Sequence, residues 1–178
     1  MAGHSKWAQI KRKKAVTDQA RTKVFSKYSR LITVESKRAK GDVYDPGLRA
    51  VIDRAKNENM PKDSIERAVK KGLDNNVLNL DSIVYETYGP GGVAILIDTL
   101  TDNRNRTAAE IKHLLSTYGC ELAAQGSAQW AFTRSPEGVV ATSTVTIQND
   151  ADDERFSALL EALENHDDVQ EVHTNAIE

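Results

Sequence analysis

Apolar residues along the chain change their period once. In the first third they recur at helical spacing. Val24, Phe25, Tyr28, Leu31 and Ile32 fall on one stripe of a helix over 18–40, with Thr17 or Asp18 as its cap and Gly41 as its end. Asp45-Pro46 opens a second helix, the aspartate capping and the proline at the first position, with Leu48, Val51, Ile52 and Ala55 inward. Pro61 opens a third, with Ile65, Ala68 and Val69 inward and Gly72 as the stop. Three short amphipathic helices predict a small bundle, marginally stable alone because its core removes little apolar area from water.

After a polar connection over 73–80 the period becomes two. Residues 83–88 and 93–99 read as strands around Gly89-Pro90-Gly91-Gly92, a hairpin turn. Thr107-Ala108-Ala109-Glu110 reads as a capping box for a helix with Ile111, Leu114, Leu115 and Tyr118 buried and Gly119 as terminator. Ala128, Trp130 and Phe132 alternate as a strand, residues 135–138 turn the chain, and 139–147 form a bent or bulged strand. Phe156, Leu159, Leu160 and Leu163 mark a last helix, and residues 169–174 a last strand. From Val93 onward the order is strand, helix, strand, strand, helix, strand. The pattern predicts an α+β protein: a basic arm and three-helix bundle over 1–73, then a ferredoxin-like α+β domain over 80–178 with an extra N-terminal hairpin strand.

Residues 1–16 join no stripe, since Trp7 and Ile10 are their only large apolar side chains before Val16. Their content is charge. Up to Lys71 the chain has 19 basic and 8 acidic residues; from Gly72 it has 5 basic and 18 acidic, so a net charge of −2 conceals strong polarity. Such segregation points to a polyanion as partner of the leading end. The longest apolar run, Val93-Ala94-Ile95-Leu96-Ile97, is far short of a membrane span, which argues against a membrane partner. The leading residues lack the apolar core of a secretory signal, and we read Met1 as a mature start. Cys120 is the single cysteine, which excludes an internal disulfide and fits a reducing cytoplasm.

Lys6-Trp7-Ala8-Gln9-Ile10-Lys11-Arg12-Lys13-Lys14 carries the strongest functional signal. Ammonium and guanidinium groups displace counterions from phosphates, giving salt-dependent and weakly sequence-specific binding, and Trp7 can stack on a base. The competing reading is an arm folded onto the acidic half with Trp7 packed inward. A second candidate is Asp102-Asn103-Arg104-Asn105-Arg106-Thr107, between a strand and a helix start. There Arg104 and Arg106 either hold a phosphate or pair with Asp102. The Gly89–Gly92 segment lacks the spacing and the Lys-Ser/Thr of a phosphate loop and is a turn. Cys120 reads as an inert buried thiol. His166 with Asp167 and Asp168 fits no usual metal-ligand spacing and reads as a histidine near a helix C-terminus. The carboxylates of 150–154 favour the dipole of the helix they start. No convergent acid/base pair, nucleophile, cofactor motif or metal set stands out, so an enzyme is not expected.

Several segments together resemble the YebC/PmpR family: Met1-Ala2-Gly3-His4-Ser5-Lys6-Trp7, Asn59-Met60-Pro61 with Ile65-Glu66-Arg67-Ala68, Tyr85-Glu86 with Tyr88-Gly89-Pro90-Gly91-Gly92, residues 102–107, and Asp167-Asp168-Val169-Gln170-Glu171-Val172. The resemblance covers nearly the whole chain. It implies a cytoplasmic protein of a family described both as DNA-binding transcriptional regulators and as ribosome-associated translation factors. Mitochondrial relatives activate translation of cytochrome c oxidase subunit I. It also implies a helical N-terminal domain and two α+β domains, one inserted in the other. Here the chain passes almost directly from Gly138-Val139-Val140 to Val145-Thr146-Ile147, so a compact form is expected with the inserted domain largely absent near 140–145.

The expected function is therefore a non-enzymatic nucleic-acid-binding regulator of gene expression. Lys6, Trp7, Lys11, Arg12, Lys13 and Lys14 form the arm, Arg21, Lys23 and Lys27 the basic face of the bundle, and Arg104 and Arg106 a second contact. The target is ribosomal RNA, with ribosomal proteins as further partners, or duplex DNA. A flexible arm with an aromatic suits irregular single strands, and no helix shows base-reading spacing, which tilts the choice toward RNA. The alternative from another class is a protein-interaction module that self-associates through its basic and acidic ends. No cofactor or metal is expected.

Overall fold

The structure, a computed structural model, describes residues 18–74, 80–135 and 138–177, with side-chain surroundings from Arg21 onward. The chain is mixed helix and sheet, and it divides into one compact unit within residues 11–80 and another within 81–178. The basic arm, with Lys6, Trp7, Lys11, Arg12, Lys13 and Lys14, lies outside the described residues.

In the first unit α1 (Asp18–Arg38), α2 (Pro46–Asn57) and α3 (Lys62–Gly72) pack around Ile32, Leu48, Ile52, Ala55, Met60, Ile65 and Ala68. Asp45 caps α2 by accepting from the N–H groups of Gly47 and Leu48, at 2.9 and 3.1 Å. Those donors, with Arg38, hold its carboxyl below the usual carboxylate range. The first two helices close alike. A left-handed residue follows each last turn, Lys40 (φ 52°) and Asn59 (φ 62°), and the next N–H reaches back five residues, Gly41 to Ser36 and Met60 to Ala55.

Helices α1 and α3 approach through small residues. Ser36 Oγ donates to the Val69 carbonyl at 2.8 Å, and Thr33 Oγ1 lies 3.3 Å from that of Ala68. A Cβ on Gly72 would sit 2.5 Å from the Thr33 carbonyl oxygen. Gly72 ends its helix as expected, but it is required by the crossing itself, a constraint no local turn signal carries.

The second unit is built on an antiparallel sheet of order β1 (Asp81–Tyr88), β2 (Ala94–Thr101), β6 (Val169–Thr174). The turn between β1 and β2 contains a short 3-10 segment, Pro90–Gly92, in which Gly91 and Gly92 take φ near +75°. On one face Val93, Ile95 and Ile97 pack with Ile111 and Leu115 of α4 (Arg104–Thr117) and with Phe156, Leu159, Leu160 and Leu163 of α5 (Asp150–Asn165). On the other, Ala94 and Leu96 meet Ala128, Ala131 and, more peripherally, Phe132 and Val139. Both faces of β2 are covered, which explains its unbroken apolar run.

The ferredoxin-like expectation holds only in part. Two helices share one sheet face, but the middle strands do not join the sheet: β3 (Phe132–Ser135) and β4 (Gly138–Ala141) pair with each other as a separate ribbon. The cause is Glu86, whose carboxylate is buried on the opposite face, beside Leu96, with 1% of the residue exposed. Its oxygens accept from the N–H groups of Gly126 and Ala128, at 2.6 and 2.7 Å, and from Gln129 Nε2 at 2.8 Å. After one bridge from Leu122 to Thr87, the chain turns across the face to supply these donors instead of extending the edge. Ala128 therefore precedes a 3-10 turn, Gln129–Ala131, and not a strand; Trp130 is exposed, its indole N–H donating to the Tyr88 hydroxyl at 3.0 Å.

Two further expectations are corrected. The strand over 139–147 is divided, because β5 (Val145–Thr146) leaves the ribbon to pair in parallel with β7 (Ala176–Ile177). Buried Asn175 secures that change of partner: its Oδ1 accepts from Ala94 N–H at 2.8 Å and its Nδ2 donates to the Ser143 carbonyl at 2.9 Å. The capping box is also displaced. Asn103 caps α4, accepting from Arg106 N–H at 3.1 Å, so Thr107 lies inside the first turn and is buried.

Candidate nucleic-acid interface

In the helical unit Arg21 and Lys23 are exposed and Lys27 is half-buried, all on α1. Exposed cations also line α2, with Arg49, Arg54 and Lys56, and α3, with Lys62, Arg67, Lys70 and Lys71. Several have local partners: Lys56 Nζ lies 3.3 Å from Asp53, and Lys62 Nζ 3.7 Å from Glu66. Such exposed pairs are worth little in water and are readily exchanged for phosphate oxygens.

The second candidate behaves differently. Arg104 Nε donates to Asp81 Oδ2 at 2.8 Å and remains exposed. Arg106 Nη2 lies 2.9 Å from Asp102 and 2.8 Å from Asp168, whose side chain is 6% exposed. Hydrogen bonding and attraction from Asp168, then from Asp102, raise the guanidinium pKa. A network extends inward from this pair. Asn103 N–H donates to Thr101 Oγ1 at 2.9 Å, the hydroxyls of Thr101 and Thr107 lie 2.7 Å apart, and Thr107 Oγ1 is 2.7 Å from Asp168 Oδ2. One donor sequence satisfies all three contacts: Thr101 donates to Thr107, which donates to the carboxylate. The pairing of Asp102 with an arginine, one of the two readings of this loop, is thus what the geometry contains, and a phosphate at Arg106 would have to displace two carboxylates.

Glu110, His166 and Asp168 bring three ligand atoms within 4.8 Å of one another. His166 caps the C-terminus of α5. Its Nδ1 accepts from Asp168 N–H at 3.2 Å, which leaves Nε2 as the donor toward Glu110 at 3.2 Å. Arg106, bonded to Asp168 and 3.9 Å from Glu110, is the cation this cluster holds in the structure. Sequence reasoning missed the hydroxyl network, because a threonine three residues before a glutamate signals a cap equally well. Cys120 is buried, and burial pushes its thiol pKa up, as an inert thiol requires. Replacing Thr107 by valine keeps the shape and removes the hydroxyl contacts to Thr101, Asp168 and the Asn103 carbonyl. We expect a loss of about 1–2 kcal/mol in urea unfolding of the second unit; unchanged stability would mean the network is not formed.

Comparison with known proteins connects these elements. The model of the TACO1/YebC protein N-terminal domain matches residues 5–75, and that of the TACO1/YebC second and third domain matches residues 80–141. The chain belongs to the TACO1/YebC family. A probable transcriptional regulatory protein of Halothermothrix orenii is 47% identical over 92% of this chain and 63% of its own length. A protein of the same description from Chlorobaculum parvum is 46% identical over 94% and 67%, and one from Hahella chejuensis 43% identical over 99% and 71%. The chain thus spans about two thirds of the length of these relatives. A crystal structure of a conserved hypothetical protein, Aq1575, from Aquifex aeolicus has the same fold at a TM-score of 0.79 and 29% identity, covering 90% of this chain and 91% of that one.

In this TACO1/YebC chain the segments that carried the resemblance have structural work. Met60 closes α2 and joins the helical core, Glu86 holds the 126–129 segment, and Asp168 receives Arg106 and Thr107. No helix among the described residues is long and apolar enough to cross a membrane.

Proposed function

We propose that the chain is a non-enzymatic nucleic-acid-binding regulator of gene expression. The observation that carries this reading is the sign of charge by region: 19 basic and 8 acidic residues up to Lys71 against 5 and 18 afterwards. The basic arm and α1, with Arg21, Lys23 and Lys27, grip phosphates. Arg104 adds a contact at the cost of its pair with Asp81, while Arg106 serves the fold. The names of the relatives, probable transcriptional regulatory proteins, support a regulatory role and leave the acid it holds to experiment. Of ribosomal RNA and duplex DNA we favour RNA, because Trp7 in a cationic arm suits unpaired bases. The protein acts in the cytoplasm, as a compact member of its family without most of the inserted domain near 140–145, and ribosomal proteins are its further partners on this reading.

The strongly acidic second unit gives the competing reading a basis: a module that self-associates through opposite charges. Crosslinking the protein in cells and sequencing the attached nucleic acid separates them. Recovery of ribosomal RNA, with cosedimentation on ribosomes at low salt, is the expected result; chromosomal fragments would assign duplex DNA. Absence of both, with an oligomer that dissociates as salt rises, would replace the proposal by self-association.

A further inference from the structure

Tyr44, in the α1–α2 turn, is 82% exposed, far more than its packing value would favour. The turn around it is closely specified. Asp42 N–H donates to the Ala39 carbonyl at 3.0 Å, Tyr44 N–H to Asp42 Oδ1 at 2.9 Å, and Asp45 N–H to the Asp42 carbonyl at 3.1 Å. Asp45 then caps α2 and pairs with Arg38. A ring displayed from a backbone so fixed loses little entropy on being covered.

The surroundings indicate what covers it. Gly72 packs against α1 at Thr33, Ser36 and Lys37, and Leu73 meets Gly41, so the end of α3 lies beside the turn. Val43 and Leu73 add apolar surface, 46% and 52% exposed. Lys40, Lys70 and Lys71 are exposed there, and none has a side-chain ion pair or hydrogen bond among the described residues. The acids of the turn are engaged instead: Glu35 and Asp45 with Arg38, and Asp42 with the Tyr44 N–H. A stacking platform flanked by uncommitted ammonium groups has the chemistry of a single-stranded nucleic-acid site, because every base offers a π-face and each phosphate a charge. An apolar protein surface would need no such cations.

Resting on the nucleic-acid reading above, we infer that Tyr44, with Lys40, Lys70 and Lys71, forms a stacking subsite for an unpaired base of single-stranded RNA or DNA. The site is sequence-tolerant, since nothing around the ring reads a base edge.

The test is binding of the full chain to fluorescently labelled oligouridine and to a mixed-sequence duplex of equal length, across a salt series. Tyr44→Ala should weaken oligouridine binding about tenfold with the salt slope unchanged, and duplex binding less than about twofold; Tyr44→Trp should restore it. Alanine at Lys40, Lys70 and Lys71 should flatten the single-strand slope by about 0.7 for each phosphate no longer neutralised. Since the ring is exposed, circular dichroism of Tyr44→Ala should match the wild type. If the wild type binds oligouridine and Tyr44→Ala binds equally well, the subsite is wrong while the broader reading stands. If the wild type binds neither probe, the broader reading fails as well.

Discussion

Replacing Gly72 by alanine should unfold a substantial share of the helical unit, although alanine is the better helix former. Local propensity favours the change by about 1 kcal/mol. The added Cβ, however, would lie 2.5 Å from the Thr33 carbonyl oxygen, 2.7 Å from Ser36 Cβ and 3.0 Å from Lys37 N. Two of these neighbours are helix backbone and cannot swing aside. Relief requires α1 and α3 to separate, which would also lengthen the bonds from Ser36 and Thr33 to the carbonyls of α3. Overpacking of this kind costs about 1–3 kcal/mol, and more where backbone must move. In a unit with so small a core we expect a net loss of about 2 kcal/mol in urea denaturation followed by helix circular dichroism. Equal or greater stability would mean that the helices do not cross at Gly72.

Glu86→Ala should have the larger effect on the second unit. The carboxylate is buried with no cationic partner among the described residues, held by the N–H groups of Gly126 and Ala128 and by Gln129. Burial by itself would raise its pKa; these donors outweigh burial and leave it below the usual carboxylate range. Removing it orphans the buried N–H of Ala128, takes the acceptor from Gly126 and Gln129, and releases the segment that places Ala128 and Ala131 over Leu96. We expect a loss of about 3 kcal/mol or more, and faster hydrogen exchange at Gly126 and Ala128. The sign of the pH effect follows from the shift. A carboxyl whose folded pKa is depressed contributes its full stabilisation above its unfolded pKa, near pH 4, and loses it as pH falls through the folded value. Asp98 has the same sign: burial would raise its pKa, but bonds from His173 and Arg134 lower it. The second unit should therefore weaken below about pH 4, with Glu86→Gln reducing that dependence. An unchanged acid limb in Glu86→Gln would remove Glu86 as a source of it.

Legibility from sequence followed the range of the interactions involved. The N-cap at Asp45, the stripe of Leu48, Ile52 and Ala55 and the Gly-Pro turn at 89–92 are local, and each was readable from residues a few positions apart. The path of 122–147 was not. It depends on where Glu86 sits in a strand some forty residues earlier and on Asn175 at the far end of the chain. Ala128, Trp130 and Phe132 alternate like a strand, but the 3-10 turn buries Ala128 and Ala131 and leaves Trp130 exposed. At the candidate interface, sequence pointed to cations but could not tell which were already engaged: Arg106 proved to be bound to Asp168 and Asp102, whereas Lys40, Lys70 and Lys71 were not singled out.

Measuring the dissociation constant for RNA and duplex DNA against salt, in the full chain and in a variant with Lys11, Arg12, Lys13 and Lys14 all alanine, bears most directly on the claim that the leading end neutralises phosphates. The expected result is a steep salt dependence for the wild type that flattens in the variant by about one for each phosphate no longer neutralised, with similar weakening across sequences. Identical slopes for both proteins, or no binding at low salt, would contradict it.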